Sequence, residues 1–435
     1  MKTLSFESVS TKQSRIAAQA RDGPDMVFTT LHHHIDSEWM LEAWNDVRKD
    51  GATGVDGVTA EDYEKDLEAN LLDLMGRIKS GSYFAPPVRR HYIPKGDGTR
   101  RPLGIPTLED KVAQRAILML LEPIYEEDFL PCSFGFRPGH SAHMELSALR
   151  TGLAEERLAW VIDADMSRCF DSIAHKHLRA FLDLRINDGV VRRMIDKWLA
   201  AGVLDQGVLQ RSETGTPQGG VASPILSNVF LHHVLDRWMA ETVAPRIGAF
   251  RLVRYADDFV IAFRNRRDGE RVLAALGKRF ARYGLTLHET KTRFVDFRPP
   301  SGRGHDSSGK FDFLGFTHLW GKSRRGRMVV RQFTSKARFA RAVKSVWDWC
   351  KRNRHRPITE QHQHLAGVIR GHCGYYGLTG NGKRLANFRL AVVNAWRRWL
   401  GQRHRGAGLS WDRFKAILAL LPLPQAKVVH SIYAT

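Results

Sequence analysis

The stretch from Phe250 to Phe263 reads FRLVRYADDFVIAF, and two adjacent carboxylates, Asp257 and Asp258, interrupt an otherwise apolar run. This pattern predicts two short strands joined by a turn that carries both carboxylates. Because burying unpaired carboxylates is costly, a bound cation is the expected compensation. Hard oxygen ligands of this kind favour Mg²⁺ or Mn²⁺. Taken alone, the stretch is equally compatible with an exposed hairpin turn.

A second acidic segment lies upstream, where residues 160–171 read WVIDADMSRCFD. Side chains alternate along a strand, so Asp163 and Asp165 would lie on the same face. Two strands with aspartates at their ends would place three carboxylates around two metal ions, the arrangement of two-metal phosphoryl transfer. The spacing leaves open which of Asp163, Asp165 and Asp171 is the third ligand.

Three sequences in order, DADMSRCFDSI (163–173), TGTPQGG (214–220) and YADD (255–258), resemble motifs A, B and C of reverse transcriptases. From about residue 35 onward, the chain resembles bacterial group II intron-encoded reverse transcriptase/maturases. The resemblance implies an α+β right-hand polymerase fold, with fingers and palm, followed by an all-α thumb or maturase X domain. It also implies an RNA-directed DNA polymerase whose catalytic carboxylates Asp165, Asp257 and Asp258 hold two Mg²⁺ ions, with Mn²⁺ as an alternative.

The same resemblance implies a set of contacts with the incoming dNTP. Lys95 and Arg101 flank the glycine turn of a hairpin predicted over residues 88–106, and would bind the triphosphate. Contact with a nucleic-acid backbone is the alternative for this pair. Gln218 of motif B would contact the nucleotide. Phe170 would lie under the sugar and exclude a 2′-hydroxyl, with core packing as the alternative.

Two further elements of the family pattern follow the YADD sequence. Lys291 matches the motif D lysine that is thought to donate a proton to the leaving pyrophosphate. An ordinary exposed loop lysine is the alternative. The run FLGF resembles the primer grip, and implies that Phe313, Leu314 and Gly315 bind the primer.

The charge of the chain is concentrated at one end. Residues 1–320 hold 43 Lys and Arg against 43 Asp and Glu, whereas residues 321–435 hold 24 against 3 and carry the whole net charge of +21. Interleaved aromatic residues indicate packed helices, so this segment is predicted to be a helical module that binds a polyanion. Its RNA-facing candidates are Arg384, Arg389, Arg397 and Arg398, whereas Leu390, Val393, Trp396 and Leu400 follow helical spacing and are predicted to be mostly core.

The predicted domains are an N-terminal extension over 1–50, reverse transcriptase fingers and palm over 51–317, and a basic helical thumb/maturase domain over 318–435. Residues 1–30 are polar and aperiodic, which predicts a flexible leader before a helix near 36–49. The alternating pattern predicts mixed strands and helices until about residue 334 and helices thereafter.

Composition excludes several classes of protein. No apolar run reaches 18 residues, the N-terminus has no apolar signal region, and the four cysteines form no CxxC pair. We therefore expect no membrane association, and a bacterial cytoplasmic, nucleoid-associated protein. No HNH nuclease pattern is present in the sequence. The expected partners are group II intron RNA, an RNA template with a DNA primer, dNTPs and target DNA.

Two other functions fit the same resemblance. One is a group II-like reverse transcriptase adopted by its host for DNA repair or phage defence. The other is a splicing maturase that binds RNA without polymerising. The intact Asp165, Asp257 and Asp258 argue against the second, because an RNA-binding protein has no need of metal carboxylates.

Overall fold

The computed structural model of the 435-residue chain describes residues 7–94, 98, 100–167, 169–205, 207–210, 214–215, 219–300, 309–323, 325–403 and 408–431. The α-helices of these residues are α1 (Val9–Asp22), α2 (Ser37–Asp46), α3 (Ala60–Glu64), α4 (Leu67–Ser80), α5 (Leu108–Asp128), α6 (Ala142–Ala154), α7 (Cys169–Ser172), α8 (His175–Asp183), α9 (Gly189–Ala200), α10 (Ser223–Leu231), α11 (Arg266–Arg282), α12 (Lys336–Arg352), α13 (Ile358–Tyr376), α14 (Gly382–Leu400) and α15 (Trp411–Leu420). The strands are β1 (Val88–Pro94), β2 (Arg100–Ile105), β3 (Trp160–Ala164), β4 (Val203–Asp205), β5 (Val208–Gln210), β6 (Phe250–Tyr255), β7 (Asp258–Phe263), β8 (Arg293–Asp296), β9 (Phe311–Phe313), β10 (Phe316–Lys322) and β11 (Met328–Thr334).

The central sheet has the strand order β6-β7-β3-β8, and each neighbouring pair is antiparallel. Along β7, Phe259 and Ile261 pack into one apolar cluster, whereas Val260 and Ala262 pack into another on the opposite face. Because both faces of this strand are covered, its sequence is continuously apolar rather than alternating. The predicted strand pair around the YADD turn is confirmed.

Two smaller sheets flank the central one. The first has the order β2-β1-β4-β5, and its β1–β2 pair is the hairpin expected over residues 88–106. The second has the order β11-β10-β9. Its residues Phe311, Phe316 and Val330 pack into the same cluster as one face of the central sheet. Strand β10 therefore joins the predicted second and third domains without a break in the core.

The C-terminal helices α12 to α14 share their own apolar cluster with α15, which includes Val346, Ile369, Trp396 and Phe414. The prediction that helices follow residue 334 is confirmed, because α12 begins at Lys336 with Ser335 as its cap. Val393, Trp396 and Leu400 are buried, so the prediction that these positions are mostly core is confirmed, and Leu390 is the exception at 55% exposed. Its position lies well around the helix from the buried stripe that contains Trp396, at 100° per residue.

The prediction of a flexible leader over residues 1–30 is wrong, because Val9–Asp22 form the helix α1. Ile16 and Ala20 are buried in the main apolar cluster, and the Gln13 side chain donates to the carbonyl oxygen of Met119 in α5 at 3.1 Å. Only a few apolar residues lie on the buried face of α1, which leaves its periodicity weak in the sequence.

Helices long and apolar enough to cross a membrane are absent from the part of the chain that the structure describes.

Candidate active site

The turn between β6 and β7 carries the two adjacent aspartates. Tyr255 pairs with Asp258 across the hairpin, so Ala256 and Asp257 form the connection. Ala256 has a φ of 56°, and a positive φ at this position matches the tight two-residue turns that join antiparallel strands. The local fold thus presents both carboxylates at one end of the central sheet.

The pairing of β3 with β7 brings the third aspartate to the same place. Ala164 lies opposite Phe259, and the next residues toward the turn are Asp165 and Asp258. Asp163 is two residues further back and forms an ion pair with Arg293 at 2.5 Å. Asp171 lies on α7 and is exposed. Of the three candidates that the sequence left open, Asp165 is therefore the one next to the YADD turn.

The three carboxylates interact electrostatically. Burial, followed by repulsion from Asp257 and Asp165, raises the pKa of the Asp258 carboxyl to about 6. Burial also raises the pKa of Asp257, against which the Arg101 guanidinium acts in the lowering direction. Asp258 keeps an accessible surface because it opens into a cavity, although protein atoms surround it on most sides.

Lys291 lies directly beside the carboxylates. Its Nζ is 2.7 Å from Oδ2 of Asp165. The amide of His288 donates to the carbonyl oxygen of Asp165 at 2.8 Å, and the amide of Ser167 donates to that of Thr286 at 2.9 Å. These backbone bonds extend β3 past its end and hold the loop that carries Lys291 against Asp165.

A cavity of about 520 Å³ opens beside two of the three carboxylates, Asp165 and Asp258. Asp165, Asp258 and Lys291 line one part of it. The three residues of the predicted primer grip, Phe313, Leu314 and Gly315, line another part. The fold thus brings to a single cavity residues that the sequence predicted for catalysis, metal binding, proton donation and primer binding.

The predicted nucleotide contacts are only partly within the described residues. Lys95 and Gln218 lie outside the described residues. Arg101 is exposed on β2, close enough to Asp257 for its charge to oppose the rise in the pKa of that carboxyl, and Phe170 is half-buried on α7. Arg101 and Phe170 therefore belong to elements that border the carboxylates.

Two glycines of motif B sit between these elements. Gly215 donates its amide to the carbonyl oxygen of Ile173 at 2.8 Å, just after α7. Gly219 has a φ of 112°, and a Cβ there would lie 2.2 Å from the carbonyl oxygen of Gly104 in β2. Only glycine permits both this conformation and this approach. Motif B therefore contacts the hairpin on one side and the segment after Phe170 on the other.

The four predicted RNA-facing arginines differ in their surroundings. Arg389 donates to the carbonyl oxygen of Pro424 at 2.9 Å, and Arg397 donates to that of Leu409 at 2.9 Å while covering the ring of Trp411. Arg384 covers the ring of Phe339 at 5.5 Å. Arg398 is exposed. Three of the four thus hold neighbouring elements together, and Arg398 faces solvent.

Sequence reasoning missed Arg338, which lines the cavity from the first turn of α12 and whose charge opposes the rise in the pKa of Asp258. No short motif surrounds Arg338 in the sequence. Its position depends on the cap at Ser335, whose amide donates to the carbonyl oxygen of Gly315 at 2.9 Å. The basic helical region therefore contributes a cation to the cavity of the carboxylates.

The residues present fit a divalent cation by their chemistry. Among the described residues, no group of three or more His, Cys, Asp and Glu side chains encloses a metal position. Asp165 is paired with Lys291 instead. Asp257 and Asp258 are nevertheless hard oxygen donors that repel each other at close range, and a divalent ion would relieve that repulsion.

Comparisons with known proteins agree with this geometry. Residues 93–318 match the family model described as reverse transcriptase (RNA-dependent DNA polymerase). The chain is 36% identical to Protein YkfC of Escherichia coli (strain K12) over 286 residues, which cover 58% of this chain and 75% of that protein. It is 26% identical to the group II intron-encoded protein LtrA of Lactococcus lactis subsp. cremoris over 469 aligned positions, covering 90% of this chain and 78% of that protein.

A more distant relative is Nuclear intron maturase 2, mitochondrial, of Arabidopsis thaliana, 28% identical over 175 residues that cover 31% of this chain and 23% of that protein. The family match spans more than half of the chain and includes the β6–β7 turn, β3 and Lys291. The chain therefore belongs to the reverse transcriptase family and is an RNA-directed DNA polymerase.

Proposed function

We propose that the chain is the reverse transcriptase of a group II intron, which copies RNA into DNA and binds its intron RNA to assist splicing and mobility. The observation that carries the polymerase part is the register of β3 and β7, in which Asp165 and Asp258 are neighbours. The relatives named as an intron-encoded protein and an intron maturase support the intron part.

In this proposal Asp165, Asp257 and Asp258 hold two Mg²⁺ ions, for which Mn²⁺ can substitute. Bound divalent ions supply Lewis-acid stabilisation of the attacking and leaving oxygens in phosphoryl transfer. Lys291 stands 2.7 Å from Asp165 and is exposed to the cavity, so it can deliver a proton to the leaving pyrophosphate. Phe313, Leu314 and Gly315 bind the primer end on the wall of the same cavity.

The remaining assignments follow the right-hand architecture. The β1–β2 hairpin belongs to the fingers, the central sheet to the palm, and residues 318–435 to a thumb/maturase domain. Lys95, Arg101 and Gln218 bind the dNTP, and Phe170 excludes its ribonucleotide counterpart. The half-buried position of Phe170 and the approach of Arg101 to Asp257 support these roles.

Intron RNA is the proposed partner of the basic helical domain. Its net charge of +21 would release counterions from a polyanion, and Arg398 is exposed to make such a contact. For the same reason we propose target DNA as a further partner and association of the protein with the nucleoid. The test of this part is the affinity of the full-length protein for RNA transcribed from the sequence flanking its own reading frame.

The polymerase part is tested by primer extension with the purified chain. An RNA template with a DNA primer, dNTPs and Mg²⁺ should yield full-length cDNA, and rNTPs should not replace dNTPs. The RNA-affinity measurement tests the intron role separately from the polymerase activity. If the protein binds the flanking RNA no more tightly than an unrelated structured RNA of the same length, the proposed polymerase activity is unaffected. That result would favour the host-adopted role in DNA repair or phage defence over the intron role.

A further inference from the structure

Arg254 is a charged residue near the end of β6, between the apolar Val253 and Tyr255. It lies on β6, two residues before Ala256, and its side chain has no exposed surface. A guanidinium without contact with water must have nearly all its donors bonded, because an unpaired buried charge is strongly destabilising. The partners of Arg254 therefore show what its burial accomplishes.

Most of the guanidinium binds side chains on α10, on the helical turn His232–Asp236 that follows it, and on the loop after α5. Nε and Nη2 donate to the two carboxylate oxygens of Asp236 at 2.8 and 2.5 Å, in a fork-to-carboxylate pair. Nη1 donates to Oδ1 of Asn228 at 2.9 Å, and Nη2 also donates to Oγ of Ser133 at 2.8 Å. These bonds fix the guanidinium in one orientation.

The remaining bond runs to the turn itself. Nη1 of Arg254 donates to the carbonyl oxygen of Ala256 at 3.0 Å. Ala256 is the residue with a φ of 56°, a conformation that an L-residue with a Cβ adopts only when its surroundings hold it there. The charged donor thus binds the peptide group that directly precedes Asp257.

A second contact holds the turn from the other side. Asn228 accepts from Arg254 and also donates its Nδ2 to the carbonyl oxygen of Gly135 at 2.7 Å. A Cβ on Gly135 would lie 2.4 Å from the amide nitrogen of Ala256, so the backbone at Gly135 lies directly against the turn. Ala256 is therefore held at its carbonyl oxygen by Nη1 of Arg254 and packed at its amide nitrogen against the backbone of Gly135.

We propose that Arg254 is a positioning residue for the polymerase reaction: through Ala256 it holds the turn in the conformation that aims Asp257 and Asp258 at a shared divalent cation. The inference rests on the proposed cation-binding role of these two carboxylates. Geometry rather than charge is the essential property, because lysine would keep the positive charge while its single ammonium cannot reach Asp236, Asn228 and Ala256 in the fork arrangement.

The test compares Arg254→Lys and Asn228→Ala with a matched control on the same strand, Arg251→Lys. Arg251 forms an ion pair with Glu156 at the partly exposed edge of β6 and does not contact the turn. For each full-length variant, binding of Mn²⁺ to the protein alone is measured by calorimetry. Deuterium uptake is measured for the peptide that spans residues 255–259, and thermal unfolding is recorded alongside.

We expect Arg254→Lys and Asn228→Ala to weaken Mn²⁺ binding about tenfold, which corresponds to about 1.4 kcal/mol, and to speed deuterium uptake in the turn. The Mg²⁺ concentration for half-maximal cDNA synthesis should rise in parallel, while Arg251→Lys behaves as the unchanged chain. A residue needed only for stability would lower the unfolding temperature and leave Mn²⁺ affinity unchanged well below that temperature.

Wild-type Mn²⁺ affinity and wild-type uptake in folded Arg254→Lys would overturn the proposal. Should that variant fail to fold, Asn228→Ala keeps the ion pair of Arg254 with Asp236, and unchanged affinity and uptake in it would overturn the proposal equally. Asp257→Asn separates the two levels. If Asp257→Asn binds Mn²⁺ as tightly as the wild type, the assignment of the carboxylates as cation ligands fails. If Asp257→Asn loses Mn²⁺ binding while Arg254→Lys keeps the wild-type affinity, only the positioning role of Arg254 is overturned.

Discussion

The Tyr375 hydroxyl donates a hydrogen bond to the backbone carbonyl oxygen of Leu314 at 2.8 Å. Leu314 has a φ of 48°, and Gly315 next to it has a φ of 80°. Tyr375 lies near the end of α13, in the basic helical region, whereas Leu314 lines the cavity of the carboxylates. The C-terminal helices therefore hold the turn that we propose as the primer grip.

Replacement of Tyr375 by phenylalanine removes this hydrogen bond and keeps the ring. A single hydrogen bond contributes about 1 kcal/mol, so we expect primer–template affinity to fall by about fivefold while the free energy of unfolding changes little. Tyr125→Phe is the control, because it removes a buried tyrosine hydroxyl that has no hydrogen-bond partner among the described residues and lies in a different apolar cluster. Equal effects of the two substitutions would assign the result to packing rather than to the bond with Leu314.

Glu145 is a buried carboxyl group with a predicted effect on stability. Among the described residues neither of its carboxylate oxygens has a hydrogen-bond partner. Burial raises the pKa of this carboxyl to about 9, with Arg254 acting to lower it and Asp258 to raise it. Between the unfolded pKa near 4.5 and the folded value, the folded state holds a proton that the unfolded state has lost. The protonation of Glu145 therefore contributes fully to stability at low pH, and this contribution declines as pH rises through this window.

Glu145→Gln removes this titration, so the substitution should stabilise the protein increasingly as pH rises. The difference in the free energy of unfolding should grow by up to about 1.4 kcal/mol per pH unit between about pH 5 and pH 8, as measured by urea unfolding. Glu155→Gln, at the exposed end of the same helix, should leave the pH dependence unchanged. A parallel pH profile for wild type and Glu145→Gln would contradict the protonated state of Glu145.

Phe170 is half-buried on α7, five residues after Asp165. If its ring lies under the sugar of the dNTP, Phe170→Ala should raise kcat/KM for rNTPs relative to dNTPs on the same template. Removal of a steric exclusion of this kind is expected to change the ratio by at least about tenfold. An unchanged ratio in a folded variant would return Phe170 to core packing.

Neighbouring arginines on α14 allow a paired test of RNA binding. Arg398 is exposed, whereas Arg397 bonds to the carbonyl oxygen of Leu409 and covers Trp411 at 4.3 Å. Arg398→Ala should lower RNA affinity and reduce the slope of log affinity against log salt by roughly one unit. Arg397→Ala should mainly lower the free energy of unfolding. The opposite assignment of effects would remove Arg398 from the RNA-binding surface.

Much of the fold follows from local sequence patterns. The run from Phe259 to Phe263 is apolar because the sheet is covered on both faces, and Ser335 marks the start of the helical region as its cap. Helix α1 escaped prediction because its buried face carries few apolar residues and is stabilised by α5, which lies about a hundred residues away in the chain. Leu390 is the exception among the predicted core positions of α14, since an apolar residue in a helix need not face the core.

Local sequence patterns predict only part of the candidate site, because several of its contacts join residues that are distant in the chain. Spacing in the sequence leaves Asp163, Asp165 and Asp171 open and the family resemblance favours Asp165, whereas the register of β3 against β7 places Asp165 next to Asp258. The bond between Tyr375 and Leu314 joins residues 61 positions apart, and no spacing rule in the sequence relates them. Arg254 did carry a signal, as a charge inside an apolar strand, which a test for buried polar residues would have found.

The most direct test of the account is primer extension on an RNA template by Asp165→Asn and Asp257→Asn, with Asp171→Asn, at an exposed position of α7, as the matched control. Each substitution keeps the size of the side chain and removes the charge that would hold a divalent ion. We expect the first two variants to bind RNA as the wild type does and to synthesise cDNA at less than about a tenth of its rate, with Asp171→Asn close to wild type. A rate above about a tenth of wild type in Asp165→Asn or Asp257→Asn would contradict the assignment of this turn as the polymerase site.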